Sequence, residues 1–296
     1  MHEVKITRPS KLLFPADGIT KGGLIQYYEQ VAERILPFLE GRPLVVERFP
    51  DGIGRPGFIQ KAAGPYYPQW IDKVTVPKAG GSIQHVVCDD ADTLTYLANQ
   101  ACVTLHTWMS RVENLKCPDQ MVLDFDPSRQ DDIASVTGGA LAARDILENL
   151  GLPVFVRSTG SRGVHVVVPI DGKHDFDFVR GFARRVAEII VDRDSSLYTL
   201  EQHKSMRRGR VFIDVNRNGY AQSAVANYSV RPKSGAPVAV PLEWWELQTR
   251  GFRPDAVTMR NLFERLERVG DPWKDFWRKR ASLTAASRKL EKLQVA

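Results

Sequence analysis

Met121-Val122-Leu123-Asp124-Phe125-Asp126-Pro127 is the stretch on which the fold turns. Its apolar start is short enough for a buried strand, and Pro127, which cannot donate to a sheet ladder, ends it. Side chains alternate along a strand, so Asp124 and Asp126 share one face while Phe125 takes the other. The two acids read either as solvated groups at a strand end or as ligands to a hard divalent cation, the usual apparatus for handling nucleotide phosphates. A third acid would favour the second reading. Arg210-Val211-Phe212-Ile213-Asp214 repeats the pattern of an apolar strand closed by a carboxylate, which makes Asp214 the candidate.

Composition sets bounds on this. The 296 residues suffice for one large domain or two small ones without disulfides. Lysine and arginine number 41 against 35 acids, a formal charge of +6 with a pI near 9.2. That balance suits a polyanionic partner or an ordinary solvated surface. Cys88, Cys102 and Cys117 match neither a paired metal motif nor a disulfide framework, so they are expected as reduced thiols. With no apolar signal core and no long apolar run, the expectation is a soluble, cytoplasmic protein without membrane contact.

Taken in order, residues 7–20 read as an irregular arm, and Thr20 as the N-cap of a helix from about Lys21 to Phe38 with Leu24, Tyr27, Tyr28, Val31, Ile35 and Phe38 on one stripe. Lys11 and Lys21 flank that helix start, as a phosphate pocket or as ordinary surface lysines. Pro43–Arg48 and Phe58–Lys61 form a hairpin; Tyr66, Tyr67 and Trp70 make either a base-stacking platform or core. A strand over Ser82–Cys88, a helix over Ala91–Gln100 capped by Asp90 and a strand over Val103–Trp108 follow. His106 on that last strand reads either as a satisfied structural histidine or, since a short turn leads on to the Asp124 strand, as a neighbour of the acids.

Asp131 and Asp132 open a helix that runs to Leu150. Strands at Pro153–Arg157 and Val164–Pro169 enclose Ser158-Thr159-Gly160-Ser161-Arg162-Gly163, an anion nest or a plain hairpin turn. A helix over Phe176–Val191, the basic run Lys204–Arg210, the Asp214 strand and a strand over Ala226–Val230 come next. Residues 242–296 read as helices with Trp244, Trp245, Trp273, Phe276 and Trp277 as packing anchors. Without repeats or a Pro/Gly linker, a single interlocked domain over 1–296 is expected: arm and helix to about 40, catalytic core about 41–240, helical region about 241–296.

Leu-His-Thr-Trp at 105–108, Pro-Asp-Gln-Met-Val-Leu-Asp-Phe-Asp-Pro at 118–127, Ser-Thr-Gly-Ser-Arg-Gly-Val-His at 158–165, Val-Phe-Ile-Asp at 211–214 and Tyr-Ser-Val-Arg at 228–231 resemble the polymerase domain of bacterial DNA ligase D, in the archaeo-eukaryotic primase superfamily. The resemblance runs over nearly the whole chain. It implies an α+β fold, a primase-like catalytic core of mixed and antiparallel sheets flanked by helices. It also implies nucleotidyl transfer at gaps and double-strand breaks in non-homologous end joining, with ribo- or deoxyribonucleotides and two Mn²⁺ or Mg²⁺ ions.

By the same resemblance Asp124, Asp126 and Asp214 hold the metals, and His106, Thr159, Arg162, His165, Arg217 and Arg231 contact the nucleoside triphosphate. Lys11 and Lys21 grip a DNA 5′-phosphate, and Phe58 stacks on the template. The family usually has Ser at Thr159 and an aromatic at Ile59. The implied partners are broken or gapped DNA and, for an excised domain or a stand-alone enzyme, Ku and a separate ligase. Short-gap excision repair, a metal-dependent nuclease or phosphatase and a non-catalytic end-bridging module are the competing readings.

Overall fold

A computed structural model describes residues 2–78, 80–129 and 132–293. Asp131, named above at a helix start, lies outside them. In chain order the elements are β1 Leu12–Phe14, β2 Ile19–Thr20, α1 Lys21–Leu39, β3 Leu44–Arg48, β4 Phe58–Gln60, β5 Lys73–Lys78, β6 Gly81–Val86, α2 Ala91–Asn99, β7 Cys102–Trp108 and β8 Gln120–Asp126. Then come α3 Ile133–Asn149, β9 Phe155–Ser158, β10 Val164–Pro169, α4 Phe176–Arg193, β11 Tyr198–Thr199, β12 Val211–Asp214, β13 Ser223–Val225, β14 Pro241–Leu242, α5 Leu262–Val269 and α6 Leu283–Leu293. The mix of helices with antiparallel-rich sheets is the α+β class expected.

The chain packs as two compact units, each assembled from three segments. The first takes residues 1–113, 223–239 and 257–262. Its main sheet has the order β13-β7-β3-β4, all antiparallel. Thr20 caps α1 by accepting from Gly23 N, and the whole predicted stripe of α1 is buried. Tyr27 and Tyr28 donate their hydroxyls to the carbonyls of Tyr228 and Val103. These bonds satisfy polar tips that burial would otherwise leave costly.

Two expectations change here. The expected strand at Ala226–Val230 sits earlier, at Ser223–Val225, because Tyr228 takes a left-handed φ of 65° and breaks extended pairing. The strand at β6 has a hairpin partner, β5, which sequence reading passed over. Only Val76 is buried along β5, and Pro77 within it argues against a strand in sequence.

The second unit takes 114–222, 240–256 and 263–296. Its sheet has the order β11-β12-β8-β10-β9-β14, antiparallel except for the β11–β12 pair. Helices α3 and α4 cover one face, and Phe125 lies under Gly139 of α3. The alternate residues of β8, Asp124 and Asp126 among them, therefore belong to the other face.

Of the aromatic anchors expected beyond residue 242, Trp273 is buried, donates its indole N–H to Val156 O and stacks on Phe276. Trp245 is not an anchor; it is 58% exposed. Much of 242–261 consists of short turns and a 3₁₀ segment at Trp244–Gln248 rather than α-helix. No helix of the described residues is long and apolar enough to cross a membrane. The three cysteines are free thiols.

Candidate active site

One transverse row of the six-stranded sheet carries the chemistry. Asp124 on β8 pairs directly with Asp214 on β12 and, on its other side, with His165 on β10; His165 in turn pairs with Arg157 on β9. Residues directly opposite each other project from the same face. Asp126 follows two positions along β8, on that face again. The three acids, 90 residues apart along the chain at their extremes, thus share one patch.

Their charges are strongly coupled. Asp124 is 8% exposed; His165 Nε2 lies 3.4 Å from its Oδ1 and Arg217 Nε 3.5 Å from its Oδ2. Burial pushes the Asp124 carboxyl up, but His165 and Arg217 together outweigh that and bring it down to about 2. Asp214 moves the opposite way. Burial raises it and the charge on Asp124 raises it further, against the pull of Arg217, whose Nε is 3.5 Å from Asp214 Oδ2. Burial holds His165 below the ordinary imidazole range, so at neutral pH it meets Asp124 as a neutral N–H donor. Asp126 is met by Arg162 at 3.2 Å and Arg207 at 3.4 Å.

Hard carboxylate oxygens on one face of two paired strands are the donor type a divalent cation such as Mg²⁺ or Mn²⁺ takes. In this arrangement guanidinium and imidazole groups engage those oxygens. Among the described residues no trio of His, Cys, Asp or Glu side chains converges into a ready metal site. The donor set fits such a cation by chemistry and register, and the arginines would have to yield for it.

The β9–β10 turn closes on itself. Thr159 Oγ1 accepts from Ser161 N and Gly163 N and donates to Gly163 O. Those two N–H groups are therefore turned inward, and the turn is less of an open anion nest than its composition suggests. Gly163 must be glycine: a Cβ there would stand 2.2 Å from Phe125 O.

The remaining candidates lie on the first unit. His106 is not on a strand adjoining β8: β7 pairs with β3 and β13, and a winding segment with a 3₁₀ turn at Val112–Asn114 separates it from β8. Arg231 N bonds Pro237 O just past the bridge between Val230 and Val238. Lys11 Nζ contacts Asp51 at 2.8 Å in an exposed pair. Lys21 is buried instead, donating to Thr7 Oγ1 and Asn99 O, and desolvation lowers its pKa. Phe58 and Ile59 stand exposed on β4, with the Arg48 guanidinium 5.4 Å from the Phe58 ring centroid.

Comparison with known proteins settles the family. The LigD primase-polymerase domain family matches residues 20–273. The chain belongs to the LigD primase-polymerase family. It is therefore a nucleotidyltransferase of the polymerase type. Relatives include the multifunctional non-homologous end joining protein LigD of Mycobacterium bovis, 32% identical over 91% of this chain and 36% of that protein. The bifunctional LigD of Bacillus subtilis is 27% identical over 93% of this chain and 44% of that protein. The chain thus spans roughly a third to under half of these relatives. The polymerase domain of Mycobacterium tuberculosis ligase D, solved in complex with DNA, superposes with a TM-score of 0.88 at 29% identity, covering 94% of this chain and 99% of that one.

Within this LigD-type domain, three residues outside the candidate set support the acids. Arg157, 4% exposed, donates from Nε to His165 Nδ1 at 3.1 Å. Arg207 lies 4.0 Å over the Phe212 ring while reaching Asp126. Asn218 is fully buried and bonds both Val122 N and Val122 O, extending the β8 ladder after β12 has ended and fixing the turn that bears Arg217. In sequence Arg157 ends a strand and Arg207 belongs to the basic run, and nothing there marks either as buried. Asn218 gave no signal, because only the fold puts it across from a strand backbone.

Proposed function

We propose that the chain extends primer 3′ ends at gaps and double-strand breaks during non-homologous end joining, using nucleoside triphosphates. The observation that carries this is the direct pairing of Asp214 with Asp124, with Asp126 on the same face. In the reaction the primer 3′-oxygen attacks the α-phosphorus; the bond to the bridging oxygen of the β-phosphate breaks and pyrophosphate leaves, while the hydroxyl proton passes to solvent. Two divalent ions, Mn²⁺ or Mg²⁺, held by Asp124, Asp126 and Asp214 would supply charge neutralisation at the phosphates and the attacking oxygen.

The protein's own part is to position and neutralise. Arg162, Arg207 and Arg217 present planar guanidinium forks beside the carboxylates, and a triphosphate offers those forks oxygens of the same bidentate geometry. Thr159 holds the β9–β10 turn in shape, so that Arg162 stays above Asp126. Resemblance assigns His106 and Arg231 to the nucleotide, Lys11 and Lys21 to a DNA 5′-phosphate, and Phe58 to the template. A Ku-like end binder and a separate ligase activity are the partners this role calls for.

The test is extension of a gapped duplex with Mn²⁺, comparing ribo- and deoxyribonucleotides, with and without the 5′-phosphate at the far side of the gap. Lengthened primers that vanish with Asp126→Ala, while DNA binding persists, are expected. Shortened DNA would indicate a nuclease, and binding without synthesis an end-bridging module.

A further inference from the structure

The transverse row does not stop at His165. Its neighbour Arg157 is the direct cross-strand partner of His165 and is buried, with its guanidinium 5.9 Å from the Trp273 ring centroid. Arginine has five N–H donors and no acceptor, so the imidazole nitrogen facing Arg157 Nε, Nδ1, has to accept. On the opposite edge of the ring, Nε2 faces a carboxylate oxygen, Asp124 Oδ1, which can only accept when ionised and so needs an N–H. The alternative tautomer fails at both edges: Nδ1–H would abut a guanidinium N–H, and the Nε2 lone pair would abut an anion. The three residues are satisfied together in one arrangement only.

We propose that Arg157 is a positioning residue that fixes His165 as the Nε2–H tautomer, orienting the Asp124 carboxylate so that Oδ1 is held and Oδ2 faces Arg217. Through this chain, β9 sets the aim of an acid two strands away. A fixed donor on Oδ1 stops the carboxylate from rotating, which is the usual work of an outer partner behind a ligating group. The functional consequence rests on the polymerase reading above; the tautomer itself does not.

The experiment uses ¹⁵N-histidine-labelled full chain, with His165→Gln to assign the ring signals. In the unaltered protein, Nε2 of His165 should give the protonated-type nitrogen shift and Nδ1 the unprotonated type. Arg157→Lys keeps a cationic donor and should retain that pattern; Arg157→Met keeps apolar length without a donor and should lose it. In gap extension, Arg157→Met should lower kcat by about 10- to 100-fold with KM little changed, and Arg157→Lys should recover most of the loss. A proton on Nδ1 in the unaltered protein overturns the inference, and so does Arg157→Met with both tautomer and kcat unchanged. If Arg157→Met does not fold, the spectra of the unaltered and Lys proteins still decide. Absent extension by an unaltered protein that shows the expected tautomer rejects the polymerase reading and leaves this inference standing.

Discussion

Asp214 sits directly across from Asp124 on antiparallel neighbours, and the two carboxyls are driven in opposite directions, Asp124 down to about 2 and Asp214 above the ordinary range. Two buried acids sharing one arginine cannot ionise independently, so removing one charge relieves the other. Asp124→Asn should therefore let the Asp214 carboxyl fall back toward its usual range, as measured by ¹³C shifts of the carboxyl carbon across a pH titration. Gap extension by either Asp124→Asn or Asp214→Asn should fall by on the order of 10²-fold or more, while DNA binding in a mobility assay holds. A variant that keeps near-normal extension would remove the acids from the reaction.

Asn218 offers a stability test that touches the same turn. Asn218→Ala leaves Val122 N and Val122 O, both buried, without their side-chain partner. The expected loss is about 2 to 6 kcal/mol, since each of the two unmet backbone groups costs roughly 1 to 3 kcal/mol. Chemical denaturation with an unchanged slope measures it. An effect under about 0.5 kcal/mol would mean that water replaces the amide freely.

The acid face was legible because strand periodicity is local: Pro127 stops β8 and period two puts Asp124 and Asp126 together whatever the rest of the chain does. The closing acid of β12 could be guessed by its resemblance to β8. Its register could not, because pairing is decided by distant contacts. For the same reason the sheet that β7 joins could not be read from its closeness to β8 along the chain: it pairs with β3 and β13. Arg157 looked like one more basic residue at a strand end; that it is buried follows from its place between β10 and β14 in the sheet.

Gly163 and Gly181 make a matched pair. Gly163 opens β10 where its missing side chain leaves room for Phe125 O, so Gly163→Ala forces two strands apart. We expect a loss of about 1 to 3 kcal/mol, with the Asp126–Arg162 contact disturbed. Gly181, inside α4, has open space around it, and Gly181→Ala should stabilise by about 0.5 to 1 kcal/mol through helix propensity. Thermal melts of the two variants should move in opposite directions.

His85 supplies a pH dependence remote from the acids in sequence. It is buried on β6, its Nδ1–H donates to Leu44 O, and its ring packs edge-on to Trp108. Burial lowers its pKa below 6.5, so the folded protein holds it neutral. Its contribution to stability is complete above pH 6.5 and drains away as pH falls from there toward the lower folded value, because the unfolded chain takes up the proton first. Denaturation midpoints measured from pH 7.5 to 5 should fall, and His85→Gln, which cannot charge, should flatten that part of the curve. An identical slope in the variant would assign the effect to other groups.

Lys11 and Lys21, both assigned to the 5′-phosphate, should part company when mutated. Lys11 Nζ pairs with Asp51, itself largely exposed, and an exposed, solvent-screened pair adds little to stability. Lys11→Ala should weaken the preference for a 5′-phosphorylated gap and leave the melting temperature almost unchanged. Lys21 bonds Thr7 Oγ1 and Asn99 O from a buried position, and thereby ties the arm at Thr7 to the end of α2. Lys21→Ala should lower the melting temperature as well as the preference. Lys21→Met, which restores apolar length without the charge, should recover part of the stability and none of the phosphate discrimination. If both single variants discriminate phosphorylated from unphosphorylated gaps as well as the unaltered protein does, the phosphate is read elsewhere.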